Sequence, residues 1–181
     1  MALTKVLTGG IADDAVDNTK LDLASNYAFT GTVTGAGHIV QSIFASTSSE
    51  VSTSSSSHTD TGLSGTITPT SASNKILITV FQNGVYKDGG AASGMQLRLL
   101  RGSTTISTLA QRAGGDNGSS SSYGIVATQS IGTVGVSFLD TPNTTSATTY
   151  KTTFNSQSNA ASTYCQVYSC DSTIVLQEIA T

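Results

Sequence analysis

The 181-residue chain is predicted to be all-β, a jelly-roll-like antiparallel β-sandwich preceded by an extended N-terminal arm. Three observations predict this. Short apolar or β-branched runs recur, with turn residues at intervals of about 8–15 positions. Ser and Thr make up about a third of the chain while charged residues are 10%, against about 25% in ordinary chains. Thr favours pleated strands, and Ser favours turns and strand edges. Finally, no run after residue 38 keeps a helical period long enough for a stable helix. The hydrophobic fraction of 37% implies a small core spread over many strands. Such a core suits an oligomer, because subunit contacts hide surface that one chain cannot.

The chain divides near Gly35–Gly37, giving an arm over 1–37 and a head over 38–181. Within Met1–Thr34, Asp13, Asp14, Asp17 and Asp22 stand against Lys5 and Lys20, so 2 − 4 = −2 of the net −3 lies here. Ile11, Ala15 and Asn18 share one helical face, but the pattern is too short to hold a helix alone. The arm is therefore expected to be ordered by docking on a neighbour through Ile11, Val16, Leu21 and Leu23. Tyr27–Val33 would then add as a short strand.

The head reads as successive strands at Ile39–Ala45, Leu63–Thr68, Lys75–Phe81, Met95–Arg101, Thr104–Leu109, Tyr123–Ser130, Val134–Leu139, Thr148–Phe154, Tyr164–Tyr168 and Thr173–Ile179. Alternation in the apolar runs places Ile76, Ile78, Val80, Leu97, Leu99, Val136, Phe138, Ile174 and Leu176 in the core. Ser46–Thr59 is serine-rich and reads as a strand-edge or surface loop. Asn83–Gly94 and Arg112–Ser122 are long and glycine-rich. Their plain reading is solvated loops. Their functional reading is an exposed apex where Tyr86, Lys87, Asp88, Asp116 and Asn117 would meet a partner.

Charge and motifs exclude several function classes. Eight basic residues scattered among eleven acidic ones make no phosphate-binding surface, so no nucleic-acid partner is expected. Met1–Gly10 has no apolar signal core, and no run approaches the ~20 apolar residues of a membrane helix. The chain thus reads as soluble, made in a cytoplasm and without membrane insertion. Cys165 and Cys170, placed in one strand, would face opposite sides with Cα atoms about 16 Å apart. That spacing favours reduced thiols, with an intersubunit disulfide as the alternative. Two cysteines and the distant His38 and His58 match no metal-site spacing. No phosphate-loop, dinucleotide or nucleophile-elbow motif occurs. The head acids Glu50, Asp60, Asp88, Asp116, Asp140, Asp171 and Glu178 read as isolated, so no carboxylate pair for glycan cleavage is expected. The expectation is a non-enzyme with no cofactor and no metal.

Thr61–Phe81, TGLSGTITPTSASNKILITVF, reads as strand, turn, strand, with Leu63 and Ile67 flanking Gly65 and Pro69–Asn74 forming the turn. This segment resembles one that recurs in virion surface proteins of tailed bacteriophages, particularly those infecting aquatic bacteria. Gly135–Phe154, GVSFLDTPNTTSATTYKTTF, and Ser172–Thr181, STIVLQEIAT, resemble the same proteins. IADDAVDNTKL (Ile11–Leu21) is similar to a phrase near the start of tail-fibre proteins and in their shafts. The resemblance implies a structural protein on the surface of a phage particle, synthesised in the host bacterial cytoplasm and closed as a homotrimer. Its partners would be its own copies and the major capsid protein or a tail protein of the same virion. Two roles fit: a capsid decoration (cement) protein gripping the shell by its arm, or a short tail fibre or receptor-binding head touching a host surface glycan. A glycan-binding or depolymerising module is a third. IADDAVDNTKL occurs once and no shaft repeat follows, which favours decoration.

Overall fold

The structure, a computed structural model, describes residues 36–87, 93–116, 131–157 and 162–181, with backbone alone for 93 and 112–116. Ten strands occur among them: β1 (Ile39–Thr47), β2 (Val51–Thr53), β3 (Thr59–Ile67), β4 (Lys75–Lys87), β5 (Ser93–Arg101), β6 (Thr104–Asp116), β7 (Gly132–Asp140), β8 (Thr148–Gln157), β9 (Thr163–Cys165) and β10 (Ser172–Ile179). The only helical element among the described residues is a single 3₁₀ turn, Val167–Ser169. The arm 1–35 and the expected strand Tyr123–Ser130 lie outside the described residues.

All pairings are antiparallel. One sheet runs β3-β8-β5-β6. In the other, β1 pairs β10, β10 pairs β4 and β4 pairs β7. β9 continues the line of β10 along β4, pairing Tyr86 and Lys87 where β10 pairs Lys75–Phe81. β2 pairs β9 as β1 pairs β10, so it continues β1. Among the described residues there are therefore two four-line sheets, and apart from β5–β6 every connection between lines crosses from one sheet to the other. That connectivity is a jelly roll, and the expected antiparallel sandwich is observed.

The register explains the core. Ile43, Leu176, Ile78 and Phe138 form one inward row across the first sheet, and Ala45, Ile174, Val80 and Val136 form the next. With Leu63, Ile67, Leu99 and Tyr150 from the second sheet, these rows apart from Val136 make the larger apolar cluster. Of the nine predicted core residues, seven are at most 1% exposed, while Val136 and Phe138 are half-buried on the outermost strand β7. A smaller cluster of Val85, Met95, Leu97, Phe154 and Cys165 fills the other end.

A buried polar layer separates the two clusters. Thr61 and Thr152 Oγ1 atoms lie 2.5 Å apart, and Thr152 Oγ1 donates to Gln82 Oε1 at 2.9 Å. Gln82 Nε2 donates to Ser172 Oγ at 3.0 Å. The Gln166 amide completes the layer: its Oε1 accepts from Ser172 Oγ (3.0 Å) and from Gln82, and its Nε2 donates to the Cys165, Ser49 and Thr61 carbonyls at 3.1, 3.2 and 3.3 Å. All five side chains are fully buried. Each finds partners, as burial of an amide or hydroxyl requires.

Strand boundaries differ from the sequence reading in instructive ways. β2 arises inside the serine-rich stretch, because Val51 packs on the smaller cluster. β4 continues through Lys87 instead of ending at Phe81. The expected strand Tyr164–Tyr168 stops at Cys165.

Candidate functional site

Among the described residues, β4, the β1/β2 line and the β9/β10 line break at one level. Gly84 has φ +59°, and the register of β4 against β7 shifts between Gln82 and Val85. A Cβ at Gly84 would sit 2.5 Å from the Val167 nitrogen and 2.9 Å from the Gln166 carbonyl carbon, so glycine is required for this approach. Opposite it, Gln166, Tyr168 and Ser169 all take positive φ, between 56° and 58°. Non-glycine residues hold that conformation only when their surroundings impose it. Here Gln166 N donates to the Asn83 carbonyl at 3.0 Å, Asn83 Nδ2 donates to the Asp171 carbonyl at 2.5 Å, and the Gln166 amide is locked into the polar layer.

The consequence is a displayed aromatic group. Tyr168 is 82% exposed, and Tyr86 and Tyr164 stack obliquely with ring centroids 5.5 Å apart. Tyr86, Ile131, Val167 and Tyr168 line a groove of about 240 Å³. Its described walls are aromatic faces, aliphatic carbon and phenol hydroxyls. Such a surface holds a neutral group by stacking and by hydrogen bonds from tyrosine.

The opposite end of the sandwich carries two buried carboxylates in one row, since Glu178 pairs Ile76 and Ile76 pairs Asp140. Glu178 is fully buried. Its Oε1 accepts from Thr70 N (2.7 Å), Thr70 Oγ1 (2.8 Å) and Asn74 Nδ2 (2.7 Å), and its Oε2 accepts from Gln41 Nε2 (2.6 Å). Burial opposes its charge, but those hydrogen bonds outweigh burial and hold the carboxyl down at about 2. Asp140 accepts from Tyr150 Oη at 2.7 Å and from Arg101 Nη1 at 2.9 and 3.1 Å, bridging the two sheets. Burial, and then the Asp140 contact, push the Tyr150 phenol above its ordinary range. Glu178 and Asp140 are thus each engaged by donors, with Ile76 between them in the row. Both hold turns or strands together through those donors.

Lys87, expected on an exposed loop, is 3% exposed within β4, and Tyr86 is half-buried beside Tyr164. Both lie on a strand because Gly84 makes a bulge there and not a turn. The backbone of Asp116 ends β6, while Asp88 and Asn117 lie outside the described residues, as do Ile11, Val16, Leu21 and Leu23. Tyr164 and Tyr168 were missed, and only the aromatic spacing in TYCQVY hinted at them. Between Cys165 and Cys170 the chain makes its 3₁₀ turn, not one continuous strand; both cysteines are free. Burial pushes the Cys165 thiol up, and its Sγ lies 3.9 Å from Met95 Sδ. His58 is half-buried against Gln96 Oε1 (2.9 Å) and Thr153 Oγ1 (3.3 Å); burial holds it below the ordinary imidazole value. Among the described residues, no three His, Cys, Asp or Glu side chains stand close enough to share a metal ion, and no helix is long and apolar enough to cross a membrane.

No protein-family model and no curated protein matches the chain. Among solved structures, it is similar to the infectious bursal disease virus VP2 subviral particle, with a TM-score of 0.48 and 10% identity, over 86% of this chain. The match spans 37% of that chain.

Proposed function

We propose that this protein is a non-enzymatic structural component of a tailed-bacteriophage virion, a capsid decoration protein that docks by its N-terminal arm and displays a homotrimeric jelly-roll head. The observation that carries this reading is where the three phage-like head segments fall. Thr61–Phe81, Gly135–Phe154 and Ser172–Thr181 supply β3, β4, β7, β8 and β10, and with them Leu63, Ile67, Ile76, Ile78, Val80, Tyr150, Ile174 and Leu176 of the main core. The likeness thus follows one packed unit and is not scattered over loops. Viral coat domains use jelly rolls repeatedly. In this reading Ile11, Val16, Leu21 and Leu23 bury against the major capsid protein, each contributing ~1.5–3 kcal/mol.

The test uses full-length protein with those four residues replaced by serine, added to particles that lack it. Decoration requires that the variant no longer binds and that particles without it lose resistance to heat or low salt, with host adsorption unchanged. Unimpaired binding of the variant would sink the anchoring role.

One observation favours a second reading, a short tail fibre or receptor-binding head. The tyrosine-lined groove, with Tyr168 held out from the sheet, offers a neutral glycan a stacking surface. Lost adsorption of Tyr168→Ala particles with normal particle stability would select it.

A further inference from the structure

The two outer faces of the sandwich differ in chemistry. On the β3-β8-β5-β6 sheet, Lys151 Nζ pairs with Asp60 Oδ2 at 2.9 Å, and Arg98 stands between the buried Leu97 and Leu99. On the other sheet the outward rows are Ser42, Gln177, Leu77, Leu139; Phe44, Val175, Thr79, Ser137; and Ser46, Thr173, Phe81, Gly135. None of these twelve positions is charged, and the exposed Lys75 of the next outward row stands at their rim. Phe44 is 66% exposed, Leu139 51% and Phe81 48%. A Cβ at Gly135 would lie 3.0 Å from the Phe81 ring, so the missing side chain lets that ring lie down over the sheet.

We propose that this uncharged face is where copies of the chain pack on one another. The inference rests on the self-association proposed above and names its surface. Close to a symmetry axis a residue meets its own copies, so a charge of either sign would repel itself there. Ser and Thr hydroxyls both donate and accept, so identical ones pair, and the exposed Phe and Leu side chains need only meet each other. Apart from Lys75 at the rim, a partner of opposite charge has nothing to recognise on this face. Four strands ~4.8 Å apart and nine residues at ~3.3 Å each give about 570 Å² per copy, so three copies closing this face around an axis hide about 1,700 Å² in all, about 570 Å² at each pairwise contact.

The experiment measures mass by light scattering at about 10 µM for the full chain, for Phe44→Asp with Leu139→Asp, and for Lys151→Ser on the opposite sheet. The expected result is a trimer for the full chain and for Lys151→Ser, and a single-chain mass for the double variant with an unchanged far-UV circular dichroism spectrum. Should the aspartates prevent folding, Phe44→Ser with Leu139→Ser repeats the test. A monomeric full chain overturns both this face and the trimer. A trimer that survives the folded double variant overturns the face alone, and a dimer dissolved by it keeps the face and overturns the threefold.

Discussion

Midway along the sandwich, Gln82, Gln166, Ser172, Thr61 and Thr152 are buried as neutral groups, whereas at the rim Glu178 and Asp140 are buried as acids. Amides and hydroxyls both donate and accept, so the middle layer closes on itself and ties β3, β4, β8, β9 and β10 without a net charge. An ionised carboxylate only accepts. It must gather donors, and Glu178 gathers them from β1 and from the Thr70–Asn74 turn, fixing that turn with no cation among its partners in the described residues. The neutral layer sets how the sheets meet and poises the Tyr168 excursion. The acidic rim staples connections, and its Glu178 answers to pH.

The largest expected effect comes from breaking the approach that feeds the neutral layer. Gly84→Ala forces a Cβ onto the Val167 nitrogen at a positive φ, and the segment carrying Gln166 must move. A loss above about 3 kcal/mol is expected, with exposure of the layer to solvent. An unchanged urea midpoint would show that the excursion is not held by this contact.

Next come substitutions that set the layers against each other across pH. Gln82→Leu strands Thr152, Ser172 and Gln166 and should cost about 2–3 kcal/mol, equally at pH 7 and pH 3. Glu178→Gln should cost about 1–2 kcal/mol at pH 7, and less as the solution is acidified. The sign follows from the shift: the folded carboxyl sits at about 2, below its ordinary 4.5. Its stabilisation is therefore complete above about pH 4.5 and is lost as pH falls toward 2. Denaturation curves of the three proteins between pH 2 and 7 decide it, and a pH-independent gap for Glu178→Gln would refute the anionic assignment.

The same contrast explains what could be read from the sequence. Alternation marked Ile76, Ile78 and Val80, and Leu97 and Leu99, because burial on one sheet face leaves a period of two. Hydroxyl-rich composition and turn spacing carried the fold class. Neither polar layer leaves such a trace. Glu178 meets Gln41 across 137 positions and Asn74 across 104, and nothing local in Ser172–Thr181 announces those partners. Asn83-Gly84 has turn chemistry, yet here the glycine serves a bulge inside β4, which hid Tyr86 and Lys87 in an apparent loop. The groove at Tyr168 depends on three residues at positive φ, one of them Gln166, whose amide is buried against groups from β3, β4 and β10. Local propensity argues against that backbone and so could not predict it.

The smallest effect separates the two acids of the rim. Asp140 keeps its Arg101 contacts when Tyr150 becomes phenylalanine, so only one hydrogen bond is lost and the ring still fills the core. Tyr150→Phe should therefore cost about 1 kcal/mol at neutral pH. Its pH dependence runs opposite to that of Glu178. The folded phenol ionises above its ordinary value near 10, so the unfolded chain releases that proton first. Stability from this group is full below about pH 10 and falls as pH rises beyond it, and the advantage of the native protein over Tyr150→Phe should shrink there. Chemical denaturation of both proteins at pH 7 and pH 11 measures the change. A gap that widened in alkali would mean that the Tyr150 phenol is not the donor to Asp140.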